Sequence, residues 1–480
     1  NVLARKRVPE TTNAFVRHPI AAHNQDISTN VLHPFAMPRH RYKQLVDQFA
    51  ADIHEGRLRP GTRLPTHREL AAREGLALVT ATRVYAELNE MGLVSGETGR
   101  GTFVKEVLPR GHGIDLQPWS DDTVDLRFNN PSMPGQGDLL RTALRELAGA
   151  GNLEALLKYH PHGGRTRDRE TMARHLAGRG LPAKADNTVL VSGAQHGLTV
   201  TAMALLEPGD VVAVDALTYP GFKLTAEACR LELVAIPAGT KGPDLDALAG
   251  LCRKRRVRAV YAMPTLHNPL GWVMSARRRR DLVAIARPHG PILIEDAAYA
   301  FLAADAPPPL AALAPEITVY VSSLSKSVAT GLRVGPVCAP QAWIPRFERT
   351  IRATTWHTPT TMTAIACGWI EDGTVARLEA EKRRDAAVRQ HIVTEVLGHL
   401  DLVRHPASYF VWLPLPEDAR ADSITKTLLD ERISVSTAHP YAATKQVPHA
   451  IRLALGSVSL DTLPRALRTV AKVVDDHAYR

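Results

Sequence analysis

The sequence predicts an α/β protein in two parts, a small three-helix unit closed by a hairpin and a larger domain on a doubly wound, largely parallel sheet. Three observations predict it. Apolar residues recur at helical spacing from Tyr42 onward. From Asp125 to the end, short runs rich in β-branched residues alternate with helix-like stretches. The length, 480 residues, accommodates about three structural units at roughly 150 residues each.

Composition narrows the class. With 45% hydrophobic and 22% charged residues, the chain sits near the globular average, which excludes a wholly disordered, collagen-like or membrane-embedded protein. The longest apolar stretch, 189–206, carries Gln195 and His196 and does not read as a membrane span. The opening residues lack an apolar signal core. Cys229, Cys252, Cys338 and Cys367 stand singly, with no metal or disulfide spacing, so a reducing cytoplasm is expected. Basic residues exceed acidic ones, 59 to 49, for a net charge of +10, which permits nucleic-acid binding. The basic runs 253–258 and 277–280 read as solvated helix faces.

Residues 1–35 hold Pro9, Pro19 and Pro34 without a period and read as a mobile arm. Tyr42, Leu45, Val46, Phe49, Ala50 and Ile53 form one apolar stripe of a first helix. Pro60-Gly61 is a turn. Thr66 with Glu69 is a capping box that opens a second helix through Leu70 and Ala71. A third helix over about 79–91 buries Ala81, Val84, Tyr85, Leu88 and Met91. Two β-prone pieces, 93–95 and 102–104, flank the Gly-rich turn 96–101. The layout is that of a winged helix-turn-helix. A linker follows at 107–123. Strands are expected at 189–192, 210–215, 231–238, 259–264, 292–296 and 317–322, with helices between them.

Chemistry gathers at the ends of those strands. Lys326 follows a buried strand in Ser323-Leu324-Ser325-Lys326-Ser327, with Arg333 seven residues on. That set suits a lysine forming a Schiff base with an aldehyde cofactor whose phosphate Ser323, Ser325 and Arg333 hold. Asp296 ends another strand, where a carboxylate can keep a pyridinium nitrogen protonated. Tyr299 and Asn268 can hydrogen-bond the ring's phenolic oxygen. Gly193, Ala194 and Gln195 open a helix directly after a strand, where backbone amides meet a phosphate.

The string Arg57–Gly61, Leu64–Ala71, Thr80, Tyr85, Leu88, Gly92 and Gly99–Val104 resembles the GntR family of bacterial regulators over about 70 residues. The resemblance implies a DNA-binding unit at 36–106 in which Arg68, Thr80 and Thr82 contact DNA and Arg100 stands at the wing tip. The family often has Ser-Arg before its recognition helix; this chain has Ala77-Leu78. Base reading is then weak, shifted to Arg83, or lost.

Gly193–Gln195, Asn268–Gly271, Asp296 with Tyr299, and Ser323…Lys326…Arg333 resemble the aspartate-aminotransferase family of pyridoxal 5′-phosphate (PLP) proteins, fold type I, over about 124–480. That likeness implies a large parallel-sheet domain with a smaller α+β domain, and a homodimer. It implies that Tyr219 lies against the cofactor ring and that Tyr159 reaches the phosphate of the neighbouring subunit. Arg452 would clamp a substrate carboxylate, and Asn130 would line the pocket. Two departures, Arg165–Arg169 and Leu266, bear on substrate choice. A GntR-like unit joined to such a domain resembles the MocR subfamily of transcription regulators. The expected function is a cytoplasmic regulator whose binding to a double-stranded DNA operator responds to an amino compound, or to PLP itself, at Lys326. The alternative is an active aminotransferase in which Lys326, Asp296 and Tyr299 are catalytic.

Overall fold

The computed structural model describes residues 41–54, 56–97, 101–105, 122–150, 153–239, 241–416, 419–444 and 446–478. The expected arm, most of the linker and Arg100 lie outside these residues.

Three helices, α1 (Arg41–His54), α2 (His67–Glu74) and α3 (Leu78–Glu90), precede an antiparallel wing of β1 (Val94–Glu97) and β2 (Gly101–Val104). The stripe read from α1 is its buried face: Val46, Leu70, Ala81, Val84, Leu88 and Val94 share one core. Glu69 N donates to Thr66 Oγ1 at 3.2 Å and Thr66 N donates to Glu69 Oε2 at 2.7 Å. The capping box therefore fixes where α2 starts.

The chain then enters the larger domain at β3 (Val124–Asp125), followed by α4 (Gln136–Gly149), α5 (Leu153–Leu156) and α6 (Thr166–Ala177). Alternation begins with β4 (Thr188–Val191), α7 (Ala194–Leu205), β5 (Val211–Asp215), α8 (Pro220–Ala228) and β6 (Glu232–Ile236). A short pair, β7 (Ala238–Gly239) and β8 (Gly242–Pro243), leads to α9 (Leu245–Lys254), β9 (Val257–Ala262), α10 (Ala276–His289) and β10 (Ile292–Asp296). Then come α11 (Leu310–Leu313), β11 (Thr318–Val321), α12 (Leu324–Ser327) and β12 (Gly335–Cys338). The seven-stranded sheet runs β4-β12-β11-β10-β9-β5-β6. Only β12 is antiparallel to its neighbours. Strands β4, β5, β9, β10 and β11 are buried along almost their whole length, as a sheet covered on both faces requires.

Helices α13 (Ile344–Thr354), α14 (Thr360–Glu371) and α15 (Thr374–Leu397) lead to the smaller portion. It contains β13 (Val403–Arg404), β14 (Phe410–Pro414), α16 (Ala421–Asp430), β15 (Ile433–Ser434), β16 (Ser436–Thr437), β17 (Ala450–Ala454) and α17 (Leu463–Ala478). Its antiparallel sheet, β13-β14-β17-β16, packs on a separate apolar core. β15 pairs in parallel with β3.

Two expectations need correction. The run 253–258 is not one helix face: α9 ends at Lys254, and Arg258 lies in β9. The run 277–280 is not a uniformly solvated face: Arg279 is buried, and its guanidinium donates to the carbonyls of Met274, Pro264 and Pro308 and to Thr265 Oγ1. Four acceptors replace the water that burial removes. The small portion also touches the winged unit. Arg420, 7% exposed, donates through Nη2 to Asp47 Oδ1 of α1 at 2.8 Å, and its Nε lies 3.1 Å from Glu87 Oε1 of α3. Burial raises the Glu87 carboxyl above its ordinary range, and Arg420 opposes that rise. A cavity opens beside this contact, lined by residues of both parts, Arg57, Met91, Arg420 and His449 among them. Among the described residues, no helix is long and apolar enough to cross a membrane.

Candidate functional site

A second cavity lies where the C-terminal ends of the parallel strands meet the small portion, the place a doubly wound sheet offers for a ligand. It brings Ala194, Gln195, Tyr219 and Asn268 together with Asp296, Tyr299, Ser323, Ser325, Lys326 and Arg333; Asn130 and Arg452 line the remaining wall. Three strand ends supply the chemistry. After β4, Gly193 adopts φ +85°, and a Cβ there would come within 2.8 Å of Arg333 Nη2, so a side chain would fill the space between the start of α7 and the guanidinium. β10 ends on Asp296, and after β11 come Ser323 and Lys326.

The hydroxyls form a local network. Ser323 Oγ donates to Ser325 Oγ at 2.9 Å, Ser325 N donates back to Ser323 Oγ at 3.0 Å, and Arg333 Nη1 donates to Ser325 Oγ at 3.2 Å. Two hydroxyls, a guanidinium and the leading amides of α7 make a donor set suited to a phosphate. Lys326 Nζ donates to Asn129 O at 2.7 Å. Asn268 is buried, and among the described residues its Oδ1 has no hydrogen-bond partner. A buried amide oxygen left without a partner calls for an explanation, and a donor on a ligand in this cavity would supply one.

Asp296 is buried. Its Oδ1 accepts from Ala298 N at 3.0 Å and its Oδ2 accepts from Tyr261 OH at 2.8 Å. Burial raises its carboxyl, and the two hydrogen bonds oppose the rise. A cation on the ligand side favours the charged form in the same way. Burial, and then Asp296, push the Tyr219 phenol upward, so it stays protonated.

Arg452 is buried on β17. Its Nη1 donates to Arg127 O at 2.7 Å, and its guanidinium carbon lies 5.1 Å from the Phe410 ring centre. Among the described residues its Nε has no hydrogen-bond partner. The stretch 127–130 is stitched into the wall by further bonds: Ser457 Oγ donates to Phe128 O at 2.5 Å, Gly456 N to Asn129 Oδ1 at 2.9 Å, and Asn130 N to Ser457 Oγ at 2.9 Å.

Tyr159 is not in this cavity. It is 81% exposed, with its ring 5.1 Å from that of Trp356. Several participants carried no sequence signal. Lys382 on α15 is fully buried and donates to Lys326 O at 3.1 Å and Val328 O at 2.6 Å. Burial and the neighbouring Lys326 lower its ammonium to about 8. Tyr261 holds Asp296, and Asn129 acts through its main chain. The alternation of β9 around Tyr261 could have shown that its side chain shares a sheet layer with its neighbours, but not what it bonds.

In the winged unit, Arg68 is exposed and Thr80 half-buried. The Thr82 hydroxyl is engaged internally: it donates to Leu78 O at 3.0 Å and lies 3.1 Å from His67 Nδ1. The Arg83 guanidinium sits 4.4 Å above the Tyr42 ring.

Comparison with known proteins gives two family matches. Residues 121–470 match aminotransferase class I and II, and residues 41–104 match the gntR family of bacterial regulatory proteins. The uncharacterized HTH-type transcriptional regulator YdeF of Bacillus subtilis is 25% identical across 91% of this chain and 94% of its own length. The uncharacterized regulator YjiR of Escherichia coli is 24% identical across 90% of this chain and 98% of its own. Among solved structures, the α-aminoadipate aminotransferase LysN of Thermus thermophilus, complexed with a phosphopyridoxyl-leucine, superposes with a TM-score of 0.69 at 21% identity. It covers 77% of this chain and 97% of its own.

Proposed function

Because the chain belongs to the aminotransferase class I and II family and joins to it a gntR-family DNA-binding unit, in the order of the MocR-type regulators, we propose that it is a transcription regulator whose DNA binding responds to an amino compound held beside Lys326. One observation carries the reading. The pocket that gathers Lys326, Asp296 and Arg452 belongs partly to the small portion, and that same portion is bound to both α1 and α3 of the winged unit through Arg420.

Bound PLP would supply an aldehyde that takes up an amino group and a ring that draws electrons from it. Lys326 presents the amine that holds the aldehyde. Ser323, Ser325, Arg333 and the start of α7 receive the phosphate. Asp296 would keep a proton on the ring nitrogen, Tyr299 and Asn268 would hydrogen-bond the ring oxygen, and Tyr219 would pack against the ring. Arg452 receives a carboxylate and Asn130 borders the entrance, so the preferred ligand is an amino acid. Tyr159, exposed and outside the lining of this pocket, suits a contact with a second subunit in a homodimer. Ligand held between Lys326 and Arg452 ties the large domain to the small portion, and Arg420 passes that displacement to the winged helices.

The test is an absorbance titration of PLP-loaded protein with amino acids and amines, paired with retention of double-stranded DNA. A band that shifts, persists and changes DNA affinity supports the regulator. A band that bleaches and returns with a keto acid, without effect on DNA, supports an aminotransferase, the reading favoured by the presence of every group that chemistry requires. Arg452→Met should weaken amino-acid ligands on the order of a hundredfold, the worth of two charge-assisted hydrogen bonds, while amines lacking a carboxylate bind as before. Arg68→Ala should weaken DNA binding across sequences and reduce the salt slope by about 0.9, as expected for one phosphate contact. Filter binding at several salt concentrations checks it, and an unchanged slope excludes Arg68 from the interface.

A further inference from the structure

The leading turn of α3 exposes apolar side chains where a groove-reading helix would meet base edges, a placement that rests on the proposed DNA-binding role of the winged unit. Val79 is 80% exposed and Leu78 48%. Residues three and four apart share a helix face, so Leu78 and Val79 form one strip with Thr82 and Arg83. The polar groups nearby on that strip are engaged within the unit. The Thr82 hydroxyl bonds Leu78 O and His67, and the Arg83 guanidinium covers the Tyr42 ring. On α2, Arg68 follows His67 and is exposed, and Arg63 is exposed just before that helix. Both are cations suited to flanking phosphates. The face itself therefore offers aliphatic groups, within a frame that favours a polyanion.

In the major groove, each base edge presents donors and acceptors, and the one apolar group among them is the thymine C5-methyl. We infer that Leu78 and Val79 read thymine through its methyl group, so that the operator carries T·A pairs opposite the leading turn of α3. An arginine at the same turn would instead select guanine through O6 and N7.

The experiment uses the full chain. Duplexes are selected from a randomised double-stranded pool, and each thymine of the selected consensus is replaced in turn by deoxyuridine, which lacks only the methyl. The expected result is an affinity loss of about fourfold per contacted methyl, the factor corresponding to one buried CH₂-sized group. That loss should disappear in Leu78→Ala/Val79→Ala, and the isosteric Val79→Thr guards against a folding effect. Selection that enriches no sequence overturns the DNA-binding reading and this inference with it. Enrichment in which deoxyuridine is tolerated at every position overturns the inference alone.

Discussion

Lys326→Ala is expected to lose the visible absorbance of covalently held PLP and all response of DNA affinity to amino compounds, while thermal unfolding and basal DNA binding stay near those of the parent. The reason lies in how little of the fold depends on the Lys326 side chain. Among the described residues its ammonium makes a single hydrogen bond, to Asn129 O, and Asn129 is also fixed by Gly456 N. A half-buried lysine with one carbonyl partner contributes about 1 kcal/mol to folding. The covalent link, by contrast, has no substitute: the other buried lysine nearby, Lys382, spends its donors on Lys326 O and Val328 O. Phosphate contacts through Ser323, Ser325 and Arg333 would still admit PLP non-covalently. Absorbance after gel filtration separates the two states, and retention of the parent spectrum would remove Lys326 from the proposed role.

Arg420→Met should detach the winged unit from the small portion. Removing one partner of a buried ion pair costs roughly 3–5 kcal/mol, and because Asp47 remains partly solvated, a loss of about 3 kcal/mol is expected. Scanning calorimetry should show a separate, earlier transition for the winged unit. The penalty should depend on pH in a defined sense. The Glu87 carboxyl is already raised by burial, and Arg420 is the first of the groups that lower it. Without Arg420 it rises further, so the variant takes up a proton as pH falls and the uncompensated charge disappears. The difference between variant and parent should therefore be largest above neutrality and shrink as the medium becomes acidic. DNA affinity should persist and its ligand response vanish; a variant that still responds would show that coupling takes another route.

Much of this architecture could be read from residue patterns because local and global signals agree. The stripe from Tyr42 to Ile53, the Thr66–Glu69 box and the β-branched runs each have one physical reading. The pocket residues could be read because their chemistry depends on side-chain type at strand ends. Strand β12 could not: Gly335-Pro336-Val337-Cys338 has no strand period, and its place between β4 and β11 is set by tertiary pairing. Lys382 sits in a helix rich in charged residues, of which Glu379, Lys382 and Arg389 are buried. Backbone carbonyls compensate two of them: Lys382 meets those of Lys326 and Val328, and Arg389 those of Leu455 and Val458. Residue type carries no trace of such acceptors. The same holds for Asn129, which meets Lys326 through its main chain.

The stitched stretch 127–130 has a mechanical consequence. It follows directly on β3, so a pull transmitted along the backbone from the winged unit meets the β3–β15 pairing first and this stretch next. Four of its residues are anchored by groups of the small portion and by Lys326. Parallel anchors share a load and give way together, unlike a chain of bonds that opens one at a time. Tension strong enough to open the β3–β15 pairing is therefore delivered to the pocket wall as a whole, against Arg452 and Lys326 at once.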